Sequence, residues 1–166
     1  MNSGLGTVGP GIDSYIEYLM KGYSLFGDKE LFDQFSTDAD TIFRSQYYQG
    51  SFLAVNPRNG MFVFDRPFSG LQFFYPLLSL YEGYVRDALE IYASNIDVVS
   101  VCLAQPEAYF IAKNQIVFSD ASYPLRPEFI EATYSLYRVT HEPIFVKVCF
   151  LRHVFVLFFR NHYLLF

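Results

Sequence analysis

Helices that arrive in pairs, joined by very short connections, constrain this chain more than any other feature. Ile12, Ile16, Leu19, Tyr23 and Phe26 recur at helical spacing. Gly27 then offers the left-handed stop that helix C-termini favour. Asp28 offers a carboxylate to cap a second helix, predicted from Lys29 to about Tyr48 with Leu31, Phe35, Ile42 and Phe43 as its apolar contacts. A link this short leaves the two helices antiparallel and adjacent. The pattern returns downstream, with a third helix over Gly70 to Tyr81, interrupted near Pro76, and a fourth from about Gly83 to Val101. Between the pairs, the apolar runs Ser51–Val55 and Met61–Phe64 flank an Asn-Gly turn and predict a small β-hairpin insertion near 51–65. The segment from Cys102 to Ser122 is mixed and reads as extended or looped. The expected class is therefore all-α, a toroid of helix hairpins or a slice of one, in preference to a βαβ fold.

Composition narrows the function classes. A chain of 166 residues can bury a real core, and 52% hydrophobic against 17% charged residues excludes a disordered chain. Nineteen Phe and 14 Tyr with no Trp demand a large core or a partner surface. A net charge of −5 argues against nucleic-acid binding through a basic face. Cys102 and Cys149 belong to no CxxC or Cys/His cluster, so no zinc site is expected; they either pair in an oxidising compartment or sit free. Met1 to Pro10 has neither the basic nor the apolar region of a secretory signal. From Ile144 to Phe166 the chain is strongly apolar but interrupted by Lys147, Arg152 and Arg160. That reads as a buried helix or one lying on a membrane surface, not a membrane span.

The chemistry-bearing stretch is Tyr123 to Arg138. Pro127 suits the first position of a helix, where its missing N–H costs nothing. Glu128 and Glu131 then share one face near the positive end of the helix dipole, and Ile130, Tyr134 and Tyr137 are expected to form the buried stripe. Asp13, Glu107 and Glu128 stand out together because each follows a Gly or Pro that fixes the loop before it. Two facing carboxylates can act as general acid and general base, at about 6.5–9.5 Å when a water must enter between them. Glu128, at a helix N-terminus, is expected to stay ionised and so to suit a base. The same acids also describe ordinary helix caps. His141, His153 and His162 serve no nucleophile motif and read as structural or surface residues.

The motifs themselves carry a resemblance. Gly9-Pro10-Gly11-Ile12-Asp13-Ser14-Tyr15-Ile16-Glu17-Tyr18-Leu19 resembles the G-x-G-x-D-S-Y-x-E-Y-L motif of the class I α-mannosidases, glycoside hydrolase family forty-seven. Leu125-Arg126-Pro127-Glu128 through Tyr137 resembles the family's L-R-P-E-x-x-E-S-x-x-x-L-Y motif, with Ala132 in place of the usual Ser. Gln105-Pro106-Glu107 resembles its L-x-P-E element. Tyr123-Pro124 and Ser69-Gly70-Leu71-Gln72-Phe73-Phe74 are most similar to the endoplasmic-reticulum degradation-enhancing branch. The resemblance implies a partial (αα)7 barrel and a calcium-dependent, inverting α-1,2-mannosidase. Its partners would be high-mannose N-glycans on misfolded glycoproteins in the endoplasmic reticulum. By position, Asp13, Glu107 and Glu128 match catalytic carboxylates, Arg126 a sugar-contacting arginine, and Glu131 a further acid of the motif. No metal ligand is carried over, because the family's calcium-binding threonine has no counterpart in this sequence. Residues 1–146 read as a fragment of the catalytic barrel and 147–166 as a divergent hydrophobic tail, with membrane contact of the tail as a further possibility. A fragment of this kind is expected to expose apolar surface, to be poorly soluble, and to be weak or inactive as a catalyst. The alternatives are a glycan-binding protein without turnover and a membrane-associated product.

Overall fold

A computed structural model describes residues 6, 9, 12–102, 105–117, 124 and 126–151. The chain is mostly helical, with three small antiparallel sheets. Helix α1 (Asp13–Phe26) ends where Gly27 takes a left-handed φ of 68° and its N–H returns to the Tyr23 carbonyl. Helix α2 (Lys29–Gln46) begins with the Asp28 carboxylate accepting the Glu30 N–H at 3.0 Å. The predicted antiparallel hairpin is thus present, with Ile16 and Phe35 fully buried in the core that both helices help to build. Tyr23 and Phe32 seal it, their rings 5.0 Å apart.

The β-hairpin near 51–65 is only half as predicted. Strands β3 (Ala54–Val55) and β4 (Phe62–Val63) pair as expected across the Asn-Gly turn. Strand β2 (Ser51–Phe52) instead turns back on β1 (Tyr47–Tyr48), which the sequence placed in the end of α2. The cause is local: Gln49 and Gly50 both take positive φ, 48° and 80°, and form a tight turn between Tyr48 and Ser51. Tyr47 then stacks on Phe43 at 4.4 Å and meets Phe52 edge-on, so one aromatic knot ties helix end to strand.

Strand β5 (Phe68–Ser69) leads into a 3-10 helix (Gly70–Phe74) and then α3 (Pro76–Tyr81), the interruption at Pro76 falling where the sequence placed it. Helix α4 (Val85–Cys102) follows, then β6 (Ala108–Phe110), a short 3-10 turn (Ile111–Lys113) and β7 (Gln115–Ile116). Strands β5, β6 and β7 form one sheet, with Ser69 opposite Ala108 and Tyr109 opposite Ile116. Part of the stretch read as extended or looped is therefore a sheet that holds Glu107 beside Gly70.

Helix α5 (Glu128–Thr140) contains the motif stretch. Pro127 sits one position earlier than predicted, as the cap residue; its carbonyl accepts the Glu131 N–H at 2.8 Å. The buried stripe is also displaced. Phe129, Ala132, Thr133 and Leu136 face the core, whereas Ile130 and Tyr134 are 37% and 55% exposed. Packing decides this: Phe129 stacks nearly parallel on Tyr92 of α4 at 5.4 Å and meets Phe73 edge-on at 5.7 Å. The Thr133 hydroxyl donates to the Phe129 carbonyl, so the Tyr92 hydroxyl donates to Thr133, at 2.7 Å. The helix closes on His141, whose left-handed φ of 57° gives it a structural role as a stop. His153 and His162 lie outside the described residues.

A further helical run covers 143–151 and buries Phe145 against Tyr92. Its outer side leaves Ile144, Phe150 and Leu151 exposed, as Leu25 and Phe26 are at the end of α1. This is the exposed apolar surface expected of the chain. No described helix is long and apolar enough to cross a membrane. Cys149 is a free thiol, and the side chain of Cys102 lies outside the described residues. The tail beyond 151 also lies outside them.

Candidate active site

Three chain segments deliver the site. The start of α1 presents Asp13 in its first turn, set by the Ile12 N–H on the Gly9 carbonyl at 3.3 Å. The strand entering β6 presents Glu107. The start of α5 presents Glu128, and the residue before Pro127 is Arg126.

Glu107 is placed by an unusually close backbone approach. The Gly70 N–H donates to the Glu107 carbonyl at 2.7 Å, and the Gln105 amide Nε2 donates to the Gly70 carbonyl at 2.8 Å. A Cβ on Gly70 would stand 2.9 Å from the Pro106 carbonyl oxygen and 3.3 Å from the Glu107 carboxylate. Only glycine lets the two segments lie this close. The Ser69–Gln72 capping box fixes the other side: Ser69 accepts from the Leu71 N–H at 3.3 Å while Gln72 accepts the Ser69 N–H at 2.7 Å.

Arg126 grips Glu107 with both prongs of its guanidinium; Nε lies 2.7 Å from one carboxylate oxygen and Nη2 engages the other. Such a fork is stronger and more directional than a single ion pair. The charges of Glu128 and Asp13 act on the same guanidinium, so the three acids converge on one cation although they come from positions 13, 107 and 128.

Glu128 is half-buried, and its Oε2 is buried with no hydrogen-bond partner among the described residues. Burial pushes its pKa above the usual carboxylate value, and the charge of Asp13 adds to the rise. Its own backbone N–H, Arg126 and the Gln105 amide pull the other way without prevailing. The helix N-terminus therefore does not set the behaviour of Glu128 by itself: desolvation outweighs the dipole and moves the carboxyl upward. A raised pKa makes the carboxylate a stronger base once it is deprotonated. The charge of Asp13 also reaches the fully buried Tyr75, whose hydroxyl is raised chiefly by burial.

Glu131 goes elsewhere. Its charge acts on Lys21 and Tyr81, and Lys21 is ion-paired with Glu17 on α1. The two acids of the α5 motif thus serve two neighbouring polar clusters. Sequence reasoning missed Lys21, and it named Gly70 and Gln105 only as members of motifs, without a role. Lys21 was signalled by its i,i+4 spacing from Glu17; the parts played by the other two come only from tertiary contact. A groove of about 570 Å³ lies apart from the carboxylates, between Tyr137 and His141 of α5 and Val146, Phe150 and Leu151. Among the described residues no group of three or more His, Cys, Asp or Glu side chains is arranged to hold a metal ion, so the calcium implied by resemblance finds no such donor set here.

Comparison with known proteins agrees with the motifs. The chain is 36% identical over 141 residues to the ER degradation-enhancing alpha-mannosidase-like protein 3 of Xenopus laevis, covering 85% of this chain and 15% of that protein. The human protein of the same name gives the same figures. Alpha-mannosidase I MNS4 of Arabidopsis thaliana is 34% identical over 136 residues, 82% of this chain and 22% of that protein. The chain therefore spans less than a quarter of the length of these relatives. Residues 1–151 match the glycosyl hydrolase family 47, and with the motif-bearing residues gathered as described, the chain belongs to that family.

Proposed function

We propose that the chain is part of an inverting, calcium-dependent α-1,2-mannosidase that trims high-mannose N-glycans on misfolded glycoproteins in the endoplasmic reticulum. Its helix hairpins would form a segment of an (αα)7 barrel, with 1–146 as the catalytic part and 147–166 as a tail. The observation that carries this reading is the convergence of Asp13, Glu107 and Glu128 on Arg126 from three distant segments. Relatives whose names include alpha-mannosidase and ER degradation support a mannoside substrate and an endoplasmic-reticulum setting for this reading.

In this reading Glu128 is the general base. It is shielded enough to hold a proton more tightly than an exposed carboxylate, and its buried oxygen is available to accept one from water. Glu107 has both oxygens engaged by Arg126, which suits it to orienting that arginine toward sugar hydroxyls. Asp13 adds negative charge beside the base and raises its proton affinity. Glu131 and Glu17 with Lys21 would line the neighbouring sugar position.

The test is release of mannose from a high-mannose glycan, with calcium and with chelator, for the chain and for Glu128→Gln. Release that Glu128→Gln abolishes supports the mannosidase; glycan binding without release assigns a lectin-like role instead.

A further inference from the structure

The connection between β3 and β4 holds a reactive pair, Asn59-Gly60, that the mechanism above leaves unused. Both residues are exposed, and nothing lies within 4 Å of the place a Gly60 Cβ would take. The Gly60 nitrogen is therefore open to solvent, with no side chain of its own to crowd it. The Asn59 side chain is not free to swing, because its Oδ1 accepts the Met61 N–H at 3.1 Å. The ring of atoms closed by that bond contains the Gly60 nitrogen, so Cγ of Asn59 is kept near it. The Met61 N–H also faces the oxygen on which negative charge would gather if Cγ were attacked. One bond opposes such an attack. The Gly60 N–H donates to the Asn56 carbonyl at 2.8 Å, an acceptor it shares with the Asn59 N–H at 3.3 Å. A single hydrogen bond in an exposed turn slows the reaction by about two- to tenfold. The other asparagines among the described residues are worse placed. Asn56 precedes Pro57, which has no N–H to lose. Asn95 is 2% exposed within α4, where the next backbone N–H belongs to the helix ladder. Asn114 has its Oδ1 taken by the Tyr109 hydroxyl, and the Gln115 that follows it is paired in β7.

We propose that Asn59-Gly60 is a self-modifying site, at which the asparagine amide is lost through an internal imide. The Gly60 nitrogen gives its proton to solvent hydroxide and bonds to Cγ of Asn59. The Cγ–Nδ2 bond breaks, and Nδ2 leaves as ammonia with a proton taken from water. One water then opens the five-membered imide. Opening at the bond to Cγ leaves an aspartate at this position. Opening at the bond to the backbone carbonyl carbon leaves an isoaspartate, with the main chain rerouted through the side chain. Water is the sole co-reactant, and nothing is oxidised or reduced. Either product adds a negative charge, and the second lengthens the main chain by one atom. The strands around it pair over only two residues each, Ala54 with Val63 and Val55 with Phe62, and Val55 also bridges to Gly6 ahead of α1. The isoaspartyl form thus loosens this hairpin and its bridge to Gly6, while the contact of 69–70 with 105–107 is untouched.

The test incubates the whole chain at neutral and at mildly alkaline pH, folded and in urea. After proteolysis, mass spectrometry follows amide loss at each asparagine, and methyl transfer by an isoaspartyl methyltransferase identifies isoaspartate. In the folded chain the amide of Asn59 is expected to be lost ahead of those of Asn95 and Asn114, faster as hydroxide rises, and within about tenfold of its rate in urea. Asn59→Gln keeps an amide in this exposed turn but would have to close a six-membered ring, and it is expected to stop the loss. Gly60→Ala sets a methyl beside the attacking nitrogen and is expected to slow it. Hydrogen exchange at the Val55 amide, now bonded to the Gly6 carbonyl at 2.9 Å, is expected to speed up in the isoaspartyl fraction. An amide retained at residue 59 in the folded chain overturns the proposal. So does equal loss at Asn114, or loss without isoaspartate, which would mean direct hydrolysis of the side chain. Unchanged exchange at Val55 overturns the loosening of the hairpin.

Discussion

Gly70→Ala should destabilise this chain, although at an unstrained position the same change would stabilise it. The φ of Gly70 lies outside the positive region, so alanine meets no backbone penalty there. Restricting the unfolded chain would then add about 0.4–1 kcal/mol of stability. Against this stands the added Cβ, 2.9 Å from the Pro106 carbonyl oxygen, a backbone atom that cannot rotate away. Overpacking of this kind costs about 1–3 kcal/mol. Relief by separating the segments stretches the Gly70 N–H bond to Glu107 and the Gln105 bond to Gly70, now 2.7 and 2.8 Å, each worth about 0.5–1.5 kcal/mol. The net loss is about 2 kcal/mol. With a urea slope of about 1–3 kcal/mol per molar, the midpoint should fall by about 1 M. The control is Gly9→Ala, whose Cβ would meet only the Ser69 Cβ, at an ordinary 3.7 Å; its midpoint should rise by about 0.2–0.5 M instead of falling. Equal or greater stability of Gly70→Ala would refute the claim that close approach of 69–70 to 105–107 builds the site.

Glu128→Gln should stabilise the chain at neutral pH. The folded state holds the Glu128 proton more tightly than the unfolded state, so ionisation is resisted by the fold and stability falls as pH rises above the ordinary glutamate value; the gain in urea midpoint should vanish below about pH 4, where both states are protonated. Tyr47, pushed up to about 12 by burial and by its 2.8 Å bond to Glu90, should ionise well after exposed tyrosines in an ultraviolet titration, and Glu90→Gln should lower its value only in part. Phe129→Ala should cost about 3–5 kcal/mol in urea unfolding, because the ring is 2% exposed between Phe73 and Tyr92. Arg126→Lys, which keeps the charge but loses the fork on Glu107, should cost no more than about 1 kcal/mol in urea unfolding, since both side chains are partly exposed, and under the proposed function it should abolish mannose release.

What the sequence disclosed was local. Gly27 and Asp28 act within one turn of themselves, so the α1–α2 hairpin was legible; so was the break at Pro76, and so was the stop at His141-Glu142-Pro143. Tyr47 and Tyr48 misled because helical and extended conformations are both open to tyrosine, and the choice was made by the Gln49-Gly50 turn and by Phe43 and Phe52. The stripe on α5 misled for a similar reason. Tyr134 and Ile130 fit the helical period as well as Phe129 and Leu136 do, and only Phe73 and Tyr92 decide which row turns inward.

The site divides along the same line. Which acids stand on fixed loops could be read from a Gly or Pro ahead of each; how each behaves once there could not. Glu128 shows the difference in magnitude. A helix N-terminus favours a carboxylate by roughly 0.3–1 kcal/mol at an exposed position, a preference visible in the sequence as Pro-Glu at a helix start. Burial opposes the charge by an amount set by what packs over it, the Asp13 charge on another segment adds to the rise, and the Gln105 amide on a third pulls back toward ionisation. The stronger influence is therefore the one with no local signature. The proton affinity of Glu128 is thus made by three segments meeting, so a change at Gly70 or Gln105, far from Glu128 in sequence, should alter it while a change at the neighbouring exposed Ile130 should not.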